Sequence, residues 1–342
     1  MPLRPADPSR WFDLGAYSRP VDFAIAVDDP TSNDCRALLD EHLAFARAVT
    51  PPGHVHALGA NALSRADVTF FAARRFGSLL AVGALRRLDD GHAEIKAMHT
   101  AASARGRGIG EGMVRHILDV AGGRGHERVS LETGTYPAFE PARRLYERLG
   151  FERCPPFAEY SDNPFSICMT RAVPSRPTSH HTPIAPVQEH LVEAFRGRAR
   201  DQVGVRADAK QPSVGEAFGD SSELADVLAQ LVVHGPKRAT AGALIEYERS
   251  GETVPFPSML SIATDGSGRP RALLETTEVR IGPLSSVDDA FAWDEGEGDR
   301  TRSWWLGAHE RFFRRYLPTI GESFDPSMQT VFERFEVLYA ED

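Results

Sequence analysis

The sequence predicts two domains: an α/β domain with a mixed sheet and flanking helices, then an α+β domain. Three observations carry this. The chain has 342 residues, more than the ~150 that one domain commonly takes. A seam at 174–186 holds Pro174, Pro177, Pro183 and Pro186 among polar residues, a composition that sustains neither a helix nor a central strand. Strand and helix patterns interleave on both sides of it, without a regular βαβ repeat. The predicted boundaries are 1–173 for the first domain, 174–186 for a linker and 187–342 for the second.

The first domain opens on a strand over 21–27 and a helix from about 33 to 48. Two strands follow around Gly77 (68–76 and 78–87), with a third at 92–99. Val114, Ile117, Leu118 and Ala121 then recur at helical spacing. A short strand covers 128–132. A last helix starts near Pro141, which a first turn tolerates, and stops at Gly150. In the second domain Asp220 and Glu223 resemble a capping box, with Leu224, Val227, Leu228, Leu231 and Val232 on one helical face and Gly235 as the stop. Residues 258–264, 271–281 and 331–339 are rich in β-branched and aromatic types, as strands are. Trp305, Phe312, Phe313 and Tyr316 form an aromatic helical stripe that reads as core.

Composition narrows the function. A hydrophobic fraction of 42% with 25% charged residues is globular. No run approaches the ~20 apolar residues of a membrane span, and the first residues follow no signal-peptide pattern. Three cysteines (Cys35, Cys154, Cys168) are too few and too scattered for a disulfide framework or a CxxC metal site. The expectation is a cytoplasmic protein with no membrane partner. His180 and His181 read as linker composition, and no metal site is predicted. Residues 1–173 carry 21 basic and 21 acidic side chains, while 174–342 carry 18 and 27, so the whole charge of −9 lies in the second half. That excess disfavours nonspecific binding of phosphate backbones. Only Lys96, Lys210 and Lys237 are lysines among 39 basic residues, which draws attention to them as titratable amines.

The run Arg105-Gly106-Arg107-Gly108-Ile109-Gly110 lies between a predicted strand and a predicted helix. Glycines there let consecutive backbone N–H groups face a phosphate, and the helix N-terminus adds its dipole. The spacing fits neither the dinucleotide fingerprint nor a P-loop, since no Gly-Lys-Ser/Thr follows. It fits Arg-x-x-Gly-x-Gly. With the preceding strand, Ala93 to His99, and the later Ala142 to Phe151, the chain resembles the GNAT acetyltransferase family from about 21 to 172. The resemblance implies acetyl-CoA as cosubstrate and a small-molecule amine as acceptor. It implies a pyrophosphate cradle at Arg105, Gly106, Arg107, Gly108, Ile109 and Gly110, and pantetheine contacts from Met98 and His99. It also implies Tyr146 as the acid that protonates the departing thiolate. Glu94 is the candidate base, because an amine must be neutral to attack and a strand carboxylate can take its proton; the other reading makes Glu94 a structural or solvent-facing strand residue. Tyr136 to Glu140 stands where many members of the family carry an asparagine.

In the second half, Phe218 to Thr240, Leu274 to Val279, Glu295 to Asp299 and Phe332 to Val337 together resemble the ASCH domain, over about 187–342. That implies a PUA-like β-barrel that binds RNA or a modified nucleoside. Some small members hydrolyse N4-acetylcytidine with a Lys, a Thr and a Glu, which by position are Lys237, Thr240 and Glu297, with Glu295 competing for the last. A threonine hydroxyl needs a base to become nucleophilic, and a desolvated lysine can serve. Three expectations follow: an N-acetyltransferase joined to an RNA or nucleoside reader, a bifunctional enzyme whose second domain is an amidohydrolase, or a second domain that is structural or dimerising.

Overall fold

A computed structural model describes residues 22–173, 182–204, 213–214 and 217–342. They divide into two compact units, one chiefly within 27–173 and the other chiefly within 182–342. The first part of the predicted linker, 174–181, lies outside the described residues, His180, His181 and all. Its last part belongs to the second unit: the Thr182 hydroxyl donates to Glu223 at 2.5 Å and the Ala185 N–H to the Gly266 carbonyl at 3.0 Å.

The first unit runs β1 (Ala24–Val27), α1 (Asn33–Val49), α2 (Ala60–Leu63), β2 (Val68–Arg75), β3 (Ser78–Arg87), β4 (His92–Thr100), α3 (Ile109–Gly123), β5 (Arg128–Gly134), α4 (Glu140–Arg148), β6 (Glu152–Cys154) and β7 (Ser166–Ala172). They form a seven-stranded sheet in the order β1-β2-β3-β4-β5-β7-β6. β3 with β4, β5 with β7 and β6 with β7 are antiparallel, and β4 with β5 is parallel. Val82 and Ala84 pack with Leu38 and Leu39 of α1. A Cβ on Gly83 between them would lie 3.0 Å from Met113 and 3.1 Å from Ile117 of α3. Successive strand residues point to opposite faces, so α1 and α3 cover opposite faces of the sheet. Ala97, at φ 54°, bulges β4 where the register to β3 shifts. The same Cβ on Gly83 would stand 2.7 Å from the Met98 sulfur, so the bulge demands a glycine opposite it. Cys154 faces Cys168 across β6 and β7, both as free thiols.

The second unit runs α5 (Glu189–Val203), β8 (Ser213–Val214), α6 (Ser222–Val233), β9 (Ala239–Ala243), α7 (Leu244–Ser250), β10 (Leu260–Thr264), β11 (Pro270–Pro283), α8 (Asp289–Glu295), α9 (Arg302–Tyr316) and β12 (Gln329–Ala340). Its five strands, ordered β8-β10-β11-β12-β9, form a curled, mostly antiparallel half-barrel. Val192, Phe195 and Ala199 of α5 pack on Ile262 and Leu273, whereas Val232 and Val233 of α6 pack on Ala263 and Leu274. By the same alternation these two helices cover opposite faces. Trp305 and Phe313 of the aromatic stripe are buried, and Trp305 stacks on Phe332 of β12.

One expectation needs correction. Asp220 and Glu223 do not form a capping box: Ser221 caps α6, its hydroxyl accepting from the Leu224 N–H at 3.3 Å. Asp220 pairs instead with Arg315, and Glu223 holds Thr182. The segments now seen as β6, β7, α5, β9, α7 and α8 carried no pattern strong enough to be marked.

Candidate active site and a buried ionic cluster

The site of the first unit begins where a ladder stops. The parallel pairing of β4 with β5 ends at Ile95 and Leu131, yet β4 continues to Thr100 and β5 to Gly134. A cavity of about 900 Å³ opens there, lined from both strands, the glycine turn and α4. Gly106 and Gly108 hold φ values of 76° and 80°, a region that L side chains avoid, and no atom lies within 4 Å of where their Cβ atoms would stand. Gly108 is the N-cap of α3, Ile109 anchors that helix in the core, and Gly110 approaches Thr100 and Leu145. Arg105 donates to the Thr100 carbonyl at 3.2 Å. Arg107 is exposed and lies off the cavity wall.

Met98, His99 and Tyr146 line the same cavity. Burial, then the neighbouring Arg105, lowers the pKa of His99. His42, whose ring centroid lies 5.2 Å from that of His99, is pushed down to about 4, chiefly by burial. The Tyr146 hydroxyl is held well above the ordinary tyrosine range by burial and by the charge of Glu132. It therefore keeps its proton at neutral pH, as a proton donor must.

Glu94 sits one layer behind the wall. It is wholly buried, and its Oε1 accepts from the Tyr160 hydroxyl at 2.5 Å with Lys96 Nζ at 3.3 Å. Arg86 stands 3.5 Å from Oε2. Lys96 itself lines the cavity and donates to the Tyr160 oxygen at 2.5 Å. Glu132 of β5 also lines the cavity. Burial raises its pKa against the opposing effects of Ser166, His56 and Lys96. Sequence reasoning missed Glu132, Lys96, His54 and His56 as wall residues. One signal was present: Glu132 closes the predicted strand 128–132, and ligands of open α/β sheets gather at the carboxyl ends of strands.

In the second unit the structure joins two of the three predicted residues. Lys237, only 1% exposed, donates to Glu297 Oε1 at 2.5 Å and lies 3.9 Å from Glu295 Oε1. Its ammonium also stands 5.4 Å from the centroid of the Phe218 ring. Gly296, in the left-handed region, lets this acidic turn approach closely: a Cβ there would be 2.8 Å from the Lys237 nitrogen. Glu295 is buried and faces His309 Nε2 at 3.4 Å, with the His309 ring stacked 3.7 Å from Trp305. Burial is the largest influence on His309 and lowers its pKa, but Glu295, Glu297 and the Trp305 carbonyl together outweigh it and the net shift is upward. Thr240 is half-buried on β9 opposite Glu333, and among the described residues it bonds neither Lys237 nor Glu297. Glu333, its pKa raised by burial, accepts from the Thr276 hydroxyl at 2.6 Å. The other acids of the turn are also engaged: Asp294 binds Arg334 at 2.9 Å, and Asp299 binds the Thr301 N–H at 3.0 Å.

Comparison with known proteins gives each unit a family. Residues 35–151 match the model of the acetyltransferase (GNAT) family, and residues 216–339 match the ASCH domain. The uncharacterized N-acetyltransferase YsnE of Bacillus subtilis is 44% identical over 147 residues, 43% of this chain and 97% of that one. The uncharacterized N-acetyltransferase YedL of Escherichia coli is 40% identical over 144 residues, 42% of this chain and 91% of that one. The crystal structure of an ASCH domain from Lactobacillus crispatus is 31% identical, covering 45% of this chain and 96% of its own, with a TM-score of 0.41.

Proposed function

We propose, for a chain that belongs to the GNAT acetyltransferase family in its first unit and carries an ASCH domain in its second, that it transfers acetyl from acetyl-CoA to a small-molecule amine. The observation that carries this reading is the cavity between the parted strands β4 and β5, with the glycine turn at one wall and Tyr146 at another. The residues fit the cosubstrate: Gly106 and Gly108 leave open the space that Cβ atoms would take. Their N–H groups, with those of Ile109 and Gly110 at the start of α3, would hold the pyrophosphate. Past Ile95 the β4 edge facing β5 has no strand partner, so Met98 and His99 can offer backbone groups to the pantetheine arm. Acetyl-CoA supplies an acetyl group activated as a thioester. Tyr146 supplies a proton to the leaving sulfur from a phenol that burial keeps protonated.

The test is binding. Acetyl-CoA is expected to raise the melting temperature of the first unit by mass action. Gly108→Asp is expected to abolish that shift, because its carboxylate meets the phosphates and its φ of 80° strains any side chain, at roughly 1 kcal/mol. An undiminished shift in that variant would remove the cradle from this site.

For the second unit the proposed role is binding of RNA or a modified nucleoside. A buried cation beside an aromatic ring, with a carboxylate at 2.5 Å, is a set of groups suited to a base and its polar edge. The amidohydrolase is the second reading, favoured by the contact of Lys237 with Glu297 and disfavoured because, among the described residues, Thr240 makes no hydrogen bond to either. A cytoplasmic setting agrees with three free thiols and completes the proposal.

A further inference from the structure

Acetyl transfer to an amine needs a group that takes the nitrogen's proton; of the three carboxylates on the cavity wall, Glu111 and Glu140 pair with Arg115 and Arg144, and Glu132 is the one placed to do so. Glu132 is the first β5 residue beyond the last pair with β4, Ile95 with Leu131, so it stands at the mouth of the gap between the strands. Buried Leu131 and half-buried Glu132 both line the cavity, as do Thr133 and Gly134 after them, with Tyr146 of α4. Glu94 is wholly buried and is not among the lining residues: Tyr160 and Lys96 engage its Oε1, and its Oε2 is buried near Arg86.

We propose that Glu132 is the general base of the transfer, accepting protons from the acceptor amine. This rests on the acetyl-transfer reading above. An amine arriving as its ammonium ion gives one proton to the Glu132 carboxylate, which releases it to water. The neutral nitrogen bonds to the acetyl carbonyl carbon as the carbon–sulfur bond breaks, and the sulfur takes the Tyr146 proton. The nitrogen's second surplus proton passes through Glu132 back to the Tyr146 oxygen. The balance is one amide, one thiol and one proton to solvent, with both side chains restored.

The surroundings support the role. Facing Glu132 are Lys96 and Glu94 on β4, His56 in the segment after α1, Tyr146 on α4, Tyr160 after β6, and Ser166 and Cys168 on β7. Burial leaves the carboxylate a stronger proton acceptor than an exposed glutamate, which suits a base acting on an ammonium group. Its charge adds to burial in raising the pKa of the Tyr146 phenol, so the two side chains share one electrostatic environment.

The experiment uses the full chain with acetyl-CoA and a panel of primary amines: an alkylamine, an arylalkylamine, a polyamine and an amino-acid amide. Thiol release is followed from about pH 6 to about pH 10. Glu132→Gln is expected to lower kcat/KM about 10²-fold near neutrality and to recover toward the parent near pH 10, where amines lose their protons unaided. Its thermal shift with acetyl-CoA should stay that of the parent, and Glu132→Asp should lose less rate while keeping the parent pH profile. A Glu132→Gln enzyme with the parent rate and profile would overturn the proposal, as would one inactive at every pH despite normal acetyl-CoA binding. Carbon-13 labelling of glutamate carboxyls gives a readout that needs no acceptor. The resonance that vanishes in Glu132→Gln should titrate above the ordinary ~4.3, as should that of the buried Glu333; titration of the Glu132 carboxyl at the ordinary value also overturns the proposal. Failure of the parent to acetylate any amine of the panel would count against the amine reading, and the titration would then judge Glu132 on its own.

Discussion

Lys237 and Glu297 lie 60 residues apart in the chain and meet at 2.5 Å in the interior of the second unit. The amine that sequence comparison offers as a base is therefore ion-paired, and a second carboxylate, Glu295, stands 3.9 Å from it. A general base must reach the proton it abstracts, and the Thr240 hydroxyl is not among the partners of Lys237. This arrangement suits a group that holds a ligand better than one that activates a nucleophile.

The first prediction follows from that contact. N4-acetylcytidine offered to the full chain is expected to bind without release of acetate, measured by calorimetry and by an acetate assay. Lys237→Arg should weaken binding without abolishing it, at a packing cost of about 1–3 kcal/mol read from thermal melting. Acetate release by the parent, lost in Lys237→Arg, would replace the reader by the hydrolase.

The second prediction concerns Tyr146. Tyr146→Phe should lower kcat roughly 10²-fold while acetyl-CoA affinity changes little, because only proton donation is removed. The parent should also show no loss of activity from Tyr146 ionisation up to about pH 10, since its pKa is raised from the ordinary value. An unchanged kcat with chemistry rate-limiting would assign Tyr146 to packing against Phe151.

The third prediction is a pH dependence of stability in the second unit. The folded pKa of His309 is raised, because Glu295, Glu297 and the Trp305 carbonyl together outweigh burial. Its contribution is therefore present in full below the ordinary histidine value of about 6.5 and is lost as pH rises through the folded value. Urea midpoints read by tryptophan fluorescence should fall across that window. Trp293, Trp304 and Trp305 all lie in this unit, and Trp305 stacks on the His309 ring. His309→Gln should flatten the dependence, and a midpoint that rises with pH in the parent would contradict the sign.

The sequence by itself determined the two-part plan, most of the long elements and both families. Those features rest on local signals. Strand and helix periodicity marked β2, β3, β4, α3, β11 and β12 within a few residues, and the glycine run at 105–110 marked a turn that lines the cavity. Short elements such as β6, with three residues, and β9, with five, escaped because so few positions show no period. Only the tertiary structure decided the neighbours of each charge. The sequence marks Glu94 as the candidate base and Lys96 as a titratable amine and leaves Glu132 unmarked, yet the end of the β4–β5 ladder leaves Lys96 and Glu132 at the cavity and Glu94 off its wall. In the same way nothing in the run of four acids within six residues shows that folding sets Asp294, Glu295, Glu297 and Asp299 each against its own partner. A partner far along the chain leaves no local trace, and desolvation depends on what packs above a side chain rather than on its neighbours in sequence.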